Sequence, residues 1–253
     1  MTVKELYEKL DKRIPGALSE TWDNDGLMCS PDTSAEVKKA LLTLDVTEEI
    51  VDFAIERSYD LIISHHPLIF KPVSHICEDN HVARKLIKLI NNGISVFSFH
   101  TRLDKVQGGV NDTLASLFKL SEVEKFGEGE LGRVGNLPRE MELDEFLDLV
   151  KSTLNVGLLK FANGYNVVNR VALVGGDGKD FVADAIKTGA DTYLSGRISY
   201  NLMEEASELG INLIEAGHYH TEAPVLDFLA ELLSTYDMSL TVDFADSNMI
   251  EVV

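Results

Sequence analysis

The sequence is poor in cysteine, in positive charge and in long apolar runs. Only two cysteines, Cys29 and Cys77, occur in 253 residues. Two isolated thiols cannot form a disulfide framework, and they fit a reducing compartment. No stretch approaches the roughly 18 consecutive apolar residues that a membrane span needs. The opening residues Met1 to Leu6 are charged at once and hold no apolar signal core. These absences lead us to expect a cytoplasmic protein with no membrane partner. Lysine and arginine number 23 against 42 aspartates and glutamates, for a formal net charge of -19. Such a balance repels polyanions. The densest basic cluster, Arg84, Lys85 and Lys88, is thin, so a nucleic-acid partner is not expected, because phosphate contacts dominate that kind of affinity. There is no Gly-x-Ser-x-Gly elbow and no cysteine with a paired base, which removes two common nucleophilic mechanisms.

What is present is an alternation of short apolar strands and amphipathic helices. The pattern predicts a strand over Lys39 to Asp45, a helix over Thr47 to Ser58, a strand over Asp60 to Ser64, a helix over Asn80 to Asn91 and a strand over Ile94 to Phe99. Continuous apolar runs between helices read as strands buried on both faces, hence an α/β sandwich. The rhythm returns late, with strands predicted at Arg170 to Val174, Asp191 to Leu194, Ile211 to Glu215 and Ser239 to Phe244. Helices are predicted over Lys179 to Thr188, Ser199 to Leu209 and Thr221 to Leu233. Between the two series, residues 124–169 are richer in glycine and charge and hold one good helix, Leu143 to Leu154. We therefore expect two α/β lobes with a boundary near residues 121–129. Residues 1–124, completed by 220–253, would form the first lobe, and residues 125–219 the second.

Ligands of open α/β sheets gather at the carboxyl ends of the strands. The polar residues that end the predicted strands are Asp45, His65 with His66, His100 followed by Asp104, Ser195, and Glu215 followed by His218, His220 and Glu222. Histidine with carboxylate suits borderline divalent metals such as Zn, Fe, Mn, Co or Ni. Adjacent side chains of an extended backbone point to opposite sides. His65 and His66 would then straddle two ions about 3.5–4 Å apart, as in two-metal hydrolases, although one core and one surface histidine would look the same. Asp104 reads as a ligand or a turn cap, and His100 as a general base. His218 and Glu222, four apart, share a face if their segment is helical. Thr221 and Pro224 instead look like a helix start, which would put Glu222 in a first turn. His220 stays open as a ligand. The turn Gly175-Gly176-Asp177-Gly178 reads either as a phosphate seat or, more simply, as a tight turn. Gly108 to Asp112 reads as a helix cap, and Trp22-Asp23-Asn24-Asp25-Gly26 as a polar turn beside the only tryptophan.

Five of these segments together resemble a known family: Trp-Asp-Asn at 22–24, Ser-His-His-Pro at 64–67, His-Thr-Arg-Leu-Asp at 100–104, Gly-Val-Asn-Asp at 109–112 and Gly-His-Tyr-His-Thr-Glu at 217–222. They are similar to those of the GTP cyclohydrolase 1 type 2 homologues, the Nif-three-like dinuclear metal-centre proteins, in the same order along the chain. The resemblance implies two interlinked α/β lobes with a dinuclear metal site between them. It also implies a ring-shaped homohexamer and two divalent ions held by His65, His66, Asp104, His218 and Glu222. It prefers His218 to His220 and makes Glu222 the bridge. One departure is Arg197 after Ser195-Gly196, where the family often carries an acidic residue. The expected activity is metal-dependent hydrolysis of a nucleotide-like or phosphorylated small molecule, with His100 moving the proton. The alternatives are a metal-handling or scaffold protein and, behind it, a nucleic-acid-binding ring.

Overall fold

The computed structural model describes residues 1–250, so the last three residues of the expected 220–253 segment lie outside it. The chain forms two compact units: Met1–Val106 with Leu226–Met249, and a second built on Gln107–Val225. Each unit is a mixed α/β fold with its own sheet. Among the described residues no helix is long and apolar enough to cross a membrane.

The first unit opens with α1 (Val3–Arg13), whose start is fixed by a reciprocal pair: Glu5 N–H donates to Thr2 Oγ1, and Thr2 N–H donates to Glu5 Oε2. There follow β1 (Gly26–Cys29), β2 (Lys39–Thr43), α2 (Glu48–Glu56), β3 (Leu61–Ser64), α3 (His81–Asn91), β4 (Ser95–Ser98) and α4 (Thr101–Lys105). Strands β2, β3 and β4 pair in parallel, with Thr43 opposite Ser64 and Ser64 opposite Ser98. All four residues of β3 and of β4 are buried. Their apolar runs work on both faces. Leu41, Ile62 and Val96 pack with Val51, Ala54, Leu86 and Leu89 of the two covering helices. From α1, Tyr7 meets Phe97 edge-on at 5.2 Å and stacks on Phe99 at 6.4 Å.

The second unit runs through α5 (Val110–Leu117), β5 (Ser121–Phe126), β6 (Gly132–Met141), α6 (Leu143–Leu154), β7 (Lys160–Ala162), β8 (Val168–Val174), α7 (Val182–Lys187), β9 (Thr192–Ser195), α8 (Tyr200–Leu209), β10 (Asn212–Glu215) and α9 (His218–Glu222). Its strand order is β5-β6-β8-β9-β10-β7. The core strands β8, β9 and β10 are parallel and in register, with Val174 opposite Ser195 and Ser195 opposite Glu215. Alternation along β8 divides the core: Val171 and Leu173 pack with Phe146 and Val150, while Ala172 and Val174 pack with Val182 and Ala185. The chain then returns to the first unit through α10 (Val225–Tyr236) and closes that sheet with β11 (Thr241–Phe244), which pairs parallel to β2.

Four strands escape a reading by apolar runs: β1, β5, β6 and β7. Strand β5 has the sequence Ser-Glu-Val-Glu-Lys-Phe and is exposed at every residue but the last, as an edge strand can be. The helix expected over Thr221 to Leu233 is instead two, α9 and α10. Pro224 lies between them and lacks the N–H that a continuous helix would use.

Arg102 ties three segments of the first unit together. It is 2% exposed. Its Nη1 donates to Asp11 Oδ1 at 2.6 Å and to the Ile14 carbonyl at 3.0 Å, and its Nε lies 3.1 Å from Asp25 Oδ2. Removing one partner of a buried ion pair strands the other charge. Arg102→Met should destabilise the fold by about 3–5 kcal/mol, read as a lowered midpoint in urea unfolding followed by circular dichroism.

Candidate metal centre

In-register parallel strands deliver their carboxyl ends to one edge. In the first unit that edge carries Asp45 after β2, His65 and His66 after β3, and His100 after β4. The backbone stays tied beyond the strands: His65 N–H donates to the Thr43 carbonyl at 3.3 Å, His66 N–H to Leu44 at 2.9 Å, and Phe99 N–H to Ser64 at 2.9 Å. Ser64 Oγ donates to the His66 carbonyl at 2.8 Å and lies 2.8 Å from Ser98 Oγ. The chain bends at His65 and His66, so the alternation of an extended strand no longer applies. Their ring centroids are 4.9 Å apart, and each is within 5.6 Å of His100. One ligand atom from each of the three imidazoles lies within 4.8 Å of the other two.

The hydrogen bonds fix which nitrogen each ring offers. His65 Nδ1 lies 2.9 Å from the Phe99 carbonyl oxygen. That oxygen can only accept, so Nδ1 carries the proton and the neutral ring keeps its lone pair on Nε2. His66 Nδ1 donates to Asp45 Oδ1 at 2.8 Å, and His100 Nδ1 to Asp23 Oδ1 at 2.8 Å. All three rings are oriented by an oxygen behind Nδ1, the arrangement typical of metal-ligating histidines. His65 Nε2 faces Asp104 Oδ1 at 3.6 Å. Asp104 sits within α4; its carboxylate turns to His65.

Asp23 is the residue that sequence reasoning missed. It lies in the polar turn at 22–26, and both of its oxygens are used. Oδ1 accepts from His100; Oδ2 accepts from Thr101 N–H at 3.1 Å and from Thr101 Oγ1 at 2.6 Å. Burial alone would raise its pKa, but the hydrogen bonds from His100 and Thr101 outweigh it and hold the carboxyl well below the usual carboxylate range. Two residues on, Asp25 Oδ2 accepts from His100 N–H at 3.1 Å. The turn clamps the start of α4. Asp45, noted only as a strand end, holds His66 in the same way, and Ser247 Oγ donates to Asp45 Oδ2 at 3.3 Å.

The second unit brings its own possible ligands together at the carboxyl ends of β8, β9 and β10. His218 and Glu222 are the first and last residues of α9. Helical spacing brings His218 Nε2 to 3.1 Å from Glu222 Oε2. Thr221 does not cap a helix start here. Its Oγ1 accepts from Gly176 N–H at 3.0 Å and lies 2.9 Å from the His218 carbonyl. His220 belongs to none of the possible ligand groups among the described residues. The glycine turn is spoken for as well. Gly175 N–H donates to the buried Asn111 Oδ1 at 2.8 Å, Gly176 N–H to Thr221, and Gly178 N–H to Ser195 Oγ at 3.0 Å. Those three amides brace the turn, as its reading as a tight turn expects. Gly176 has φ +67°, and a Cβ there would lie 2.1 Å from Glu222 Oε1 and 3.2 Å from His218 Nε2. A Cβ on Gly196 would meet His218 Cα at 2.8 Å. Both glycines exist to let the His218–Glu222 segment approach. Arg197, next in sequence, is exposed, and its Nη1 lies 3.7 Å from Asp177.

Imidazole nitrogens with carboxylate oxygens fit a borderline divalent cation, and such groups come together here.

Two outcomes follow from this geometry. Gly176→Ala should push the Glu222 carboxylate aside, visible in a crystal structure of the variant, and cost about 1–3 kcal/mol of stability through strain at a positive φ. Asp23→Asn should release the His100 ring, seen as a changed tautomer population in its 15N NMR signals, while the His65 signals stay in place.

A family model described as Duf34/NIF3 (NGG1p interacting factor 3) matches residues 1–250. A Clostridium perfringens protein named GTP cyclohydrolase 1 type 2 homolog is 38% identical over 238 residues, covering 91% of this chain and 90% of its own. A protein of the same name from Campylobacter jejuni is 32% identical over 244 residues, covering 96% of each. Among solved structures, the Staphylococcus aureus hypothetical protein SA1388 superposes with a TM-score of 0.89 at 27% identity, covering 100% of this chain and 99% of that one. Reduced HcgD from Methanocaldococcus jannaschii does so with a TM-score of 0.85 at 28% identity, covering 96% and 97%. With matching motifs, two α/β units and this extent of similarity, the chain belongs to the Duf34/NIF3 family.

Proposed function

We propose that this protein is a dinuclear metal-dependent hydrolase of a nucleotide-like or phosphorylated small molecule, active in the cytoplasm as a homohexamer. The observation that carries the metal reading is the shared orientation of His65 and His66, each with Nδ1 on an oxygen. His65, His66 and Asp104 form one half of the ligand set, and His218 and Glu222 the other. Neither half suffices alone: His218 and Glu222 offer two residues, and a divalent site of this chemistry takes about four donors. Together His65, His66, Asp104, His218 and Glu222 would hold two divalent ions, and Glu222, with two carboxylate oxygens, would serve both. A pair of divalent ions supplies Lewis acidity toward water and the group under attack. His100, held by Asp23, is the proton-transfer residue through Nε2. No other nucleophile, whether serine elbow or paired cysteine, competes for the role. The relatives' shared name points the same way for the substrate class.

The test is metal analysis joined to a hydrolysis screen across nucleotides and phosphoesters with Zn, Fe, Mn, Co or Ni. Glu222→Ala should lose both ions together, measured by plasma mass spectrometry. His100→Ala should keep both ions and lose about 100-fold or more in kcat. A metal-loaded protein that turns over none of these substrates would sink the hydrolase reading, and a Glu222→Ala variant that keeps one ion would sink the bridge.

A further inference from the structure

Two large aromatic side chains stand in water beside the histidine cluster. Trp22 is 62% exposed and Phe70 45% exposed. Their ring centroids are 6.2 Å apart, and they lie 6.2 Å and 6.3 Å from the His100 ring. Every contact in this trio is edge-to-face, at interplanar angles of 72°, 77° and 86°. Trp22 precedes Asp23, the residue that orients His100. Phe70 follows the His65-His66-Pro67 segment. The aromatic pair is therefore positioned by the same two turns that position the imidazoles.

Phe70 also lines a cavity of about 400 Å³ that starts at Pro67 and runs past Lys71, Ser74, His81 and Lys85. Among the described residues no carboxylate lines it, although aspartate and glutamate outnumber lysine and arginine by 42 to 23 in the chain and the charges of Glu48 and Asp45 reach Lys85 from outside the lining. Lys85 Nζ is fixed in place, donating to the Val46 carbonyl at 2.6 Å. Two lysines in its lining suit the cavity to an anion. Exposed aromatic faces bind flat rings, and such stacking is indifferent to which ring is offered.

We propose that Trp22 and Phe70 form a stacking platform for a planar aromatic ring, and that the adjoining cavity with Lys71 and Lys85 takes an anionic arm of the same molecule. The ligand class is an aromatic ring carrying a phosphate or carboxylate, seated with its ring against the His100 edge of the cluster. This rests on the hydrolase reading for its chemistry, but the binding step stands on Trp22, Phe70 and the two lysines alone. It gives the specificity of the site to residues outside the ligand set.

Trp22 is the only tryptophan, so its fluorescence reports the platform directly. The probes are AMP, GMP, CMP and UMP, each against its free nucleoside and against ribose 5-phosphate, on the full chain with and without Zn²⁺. At least one nucleotide should quench Trp22 saturably, its nucleoside should bind roughly tenfold or more weakly, and ribose 5-phosphate should not quench. Phe70→Leu keeps the fluorophore and should weaken nucleotide binding roughly tenfold, the scale of one lost stacking partner. Lys71→Gln with Lys85→Gln should bring the nucleotide down to the affinity of its nucleoside. Absence of quenching by all four nucleotides overturns the proposal, as does an unchanged Kd in Phe70→Leu. Sedimentation velocity covers the competing occupant: if Phe70→Leu breaks up an assembly and leaves ligand affinity intact, the aromatic pair is an interface between copies. Turnover separates the two readings. Loss of the platform with metals and turnover retained leaves the hydrolase standing, whereas saturable nucleotide binding by a metal-loaded protein that turns nothing over removes the hydrolase and keeps the platform.

Discussion

The in-register pairing of β2, β3 and β4 is the constraint on which the histidine cluster of the first unit depends. Thr43, Ser64 and Ser98 end level with one another. A slip of one residue in any pair would carry the following histidine to the other face. The pairing is strongly specified because these strands bury both faces, so each register error would expose apolar side chains to water or force polar ones inside. The second unit repeats the device with Val174, Ser195 and Glu215. Two separate sheets thus solve the same problem, and the polar residues follow from where the strands stop.

Holding a ring in place is a different task from delivering it, and it falls to oxygens behind the rings. A carbonyl and two carboxylates fix His65, His66 and His100 by their Nδ1 atoms. A neutral imidazole has one donor and one acceptor nitrogen, so a bond that fixes the first also fixes the second. In the second unit the equivalent work is steric. Gly176 and Gly196 withhold a Cβ from the space that His218 and Glu222 occupy, and Asn111, Thr221 and Ser195 bind the amides of the adjacent turn. The Gly-Val-Asn-Asp segment, which reads as a helix cap, serves through Asn111 as a brace for that turn.

Much of the architecture was legible in the apolar runs. The strands around residues 41, 62, 96, 172, 193 and 213 stand where continuous hydrophobic stretches placed them, since a strand buried on two faces leaves a signal that no exposed element imitates. Strands β5 and β7 left none, because edge strands with charged exposed residues look like loops. The single helix expected from Thr221 is divided because Pro224 stands at the joint between α9 and α10. Asp23 and Asp45 stayed invisible as partners of His100 and His66. They lie 77 and 21 residues from the rings they hold, and no local pattern connects residues at such distances.

The sequence by itself determined that histidines and carboxylates would sit at strand ends, in segments shared with the Duf34/NIF3 family. Residue type and apolar periodicity are local properties, and local sequence carries them. Only the tertiary structure decided which nitrogen of each imidazole is presented and that three amides of the glycine turn are held by Asn111, Thr221 and Ser195. Each of those depends on a hydrogen bond or a close approach between segments that the sheets alone bring together. The same holds for Trp22: in the chain it is a lone tryptophan in a polar turn, and only folding sets its ring beside Phe70 and His100.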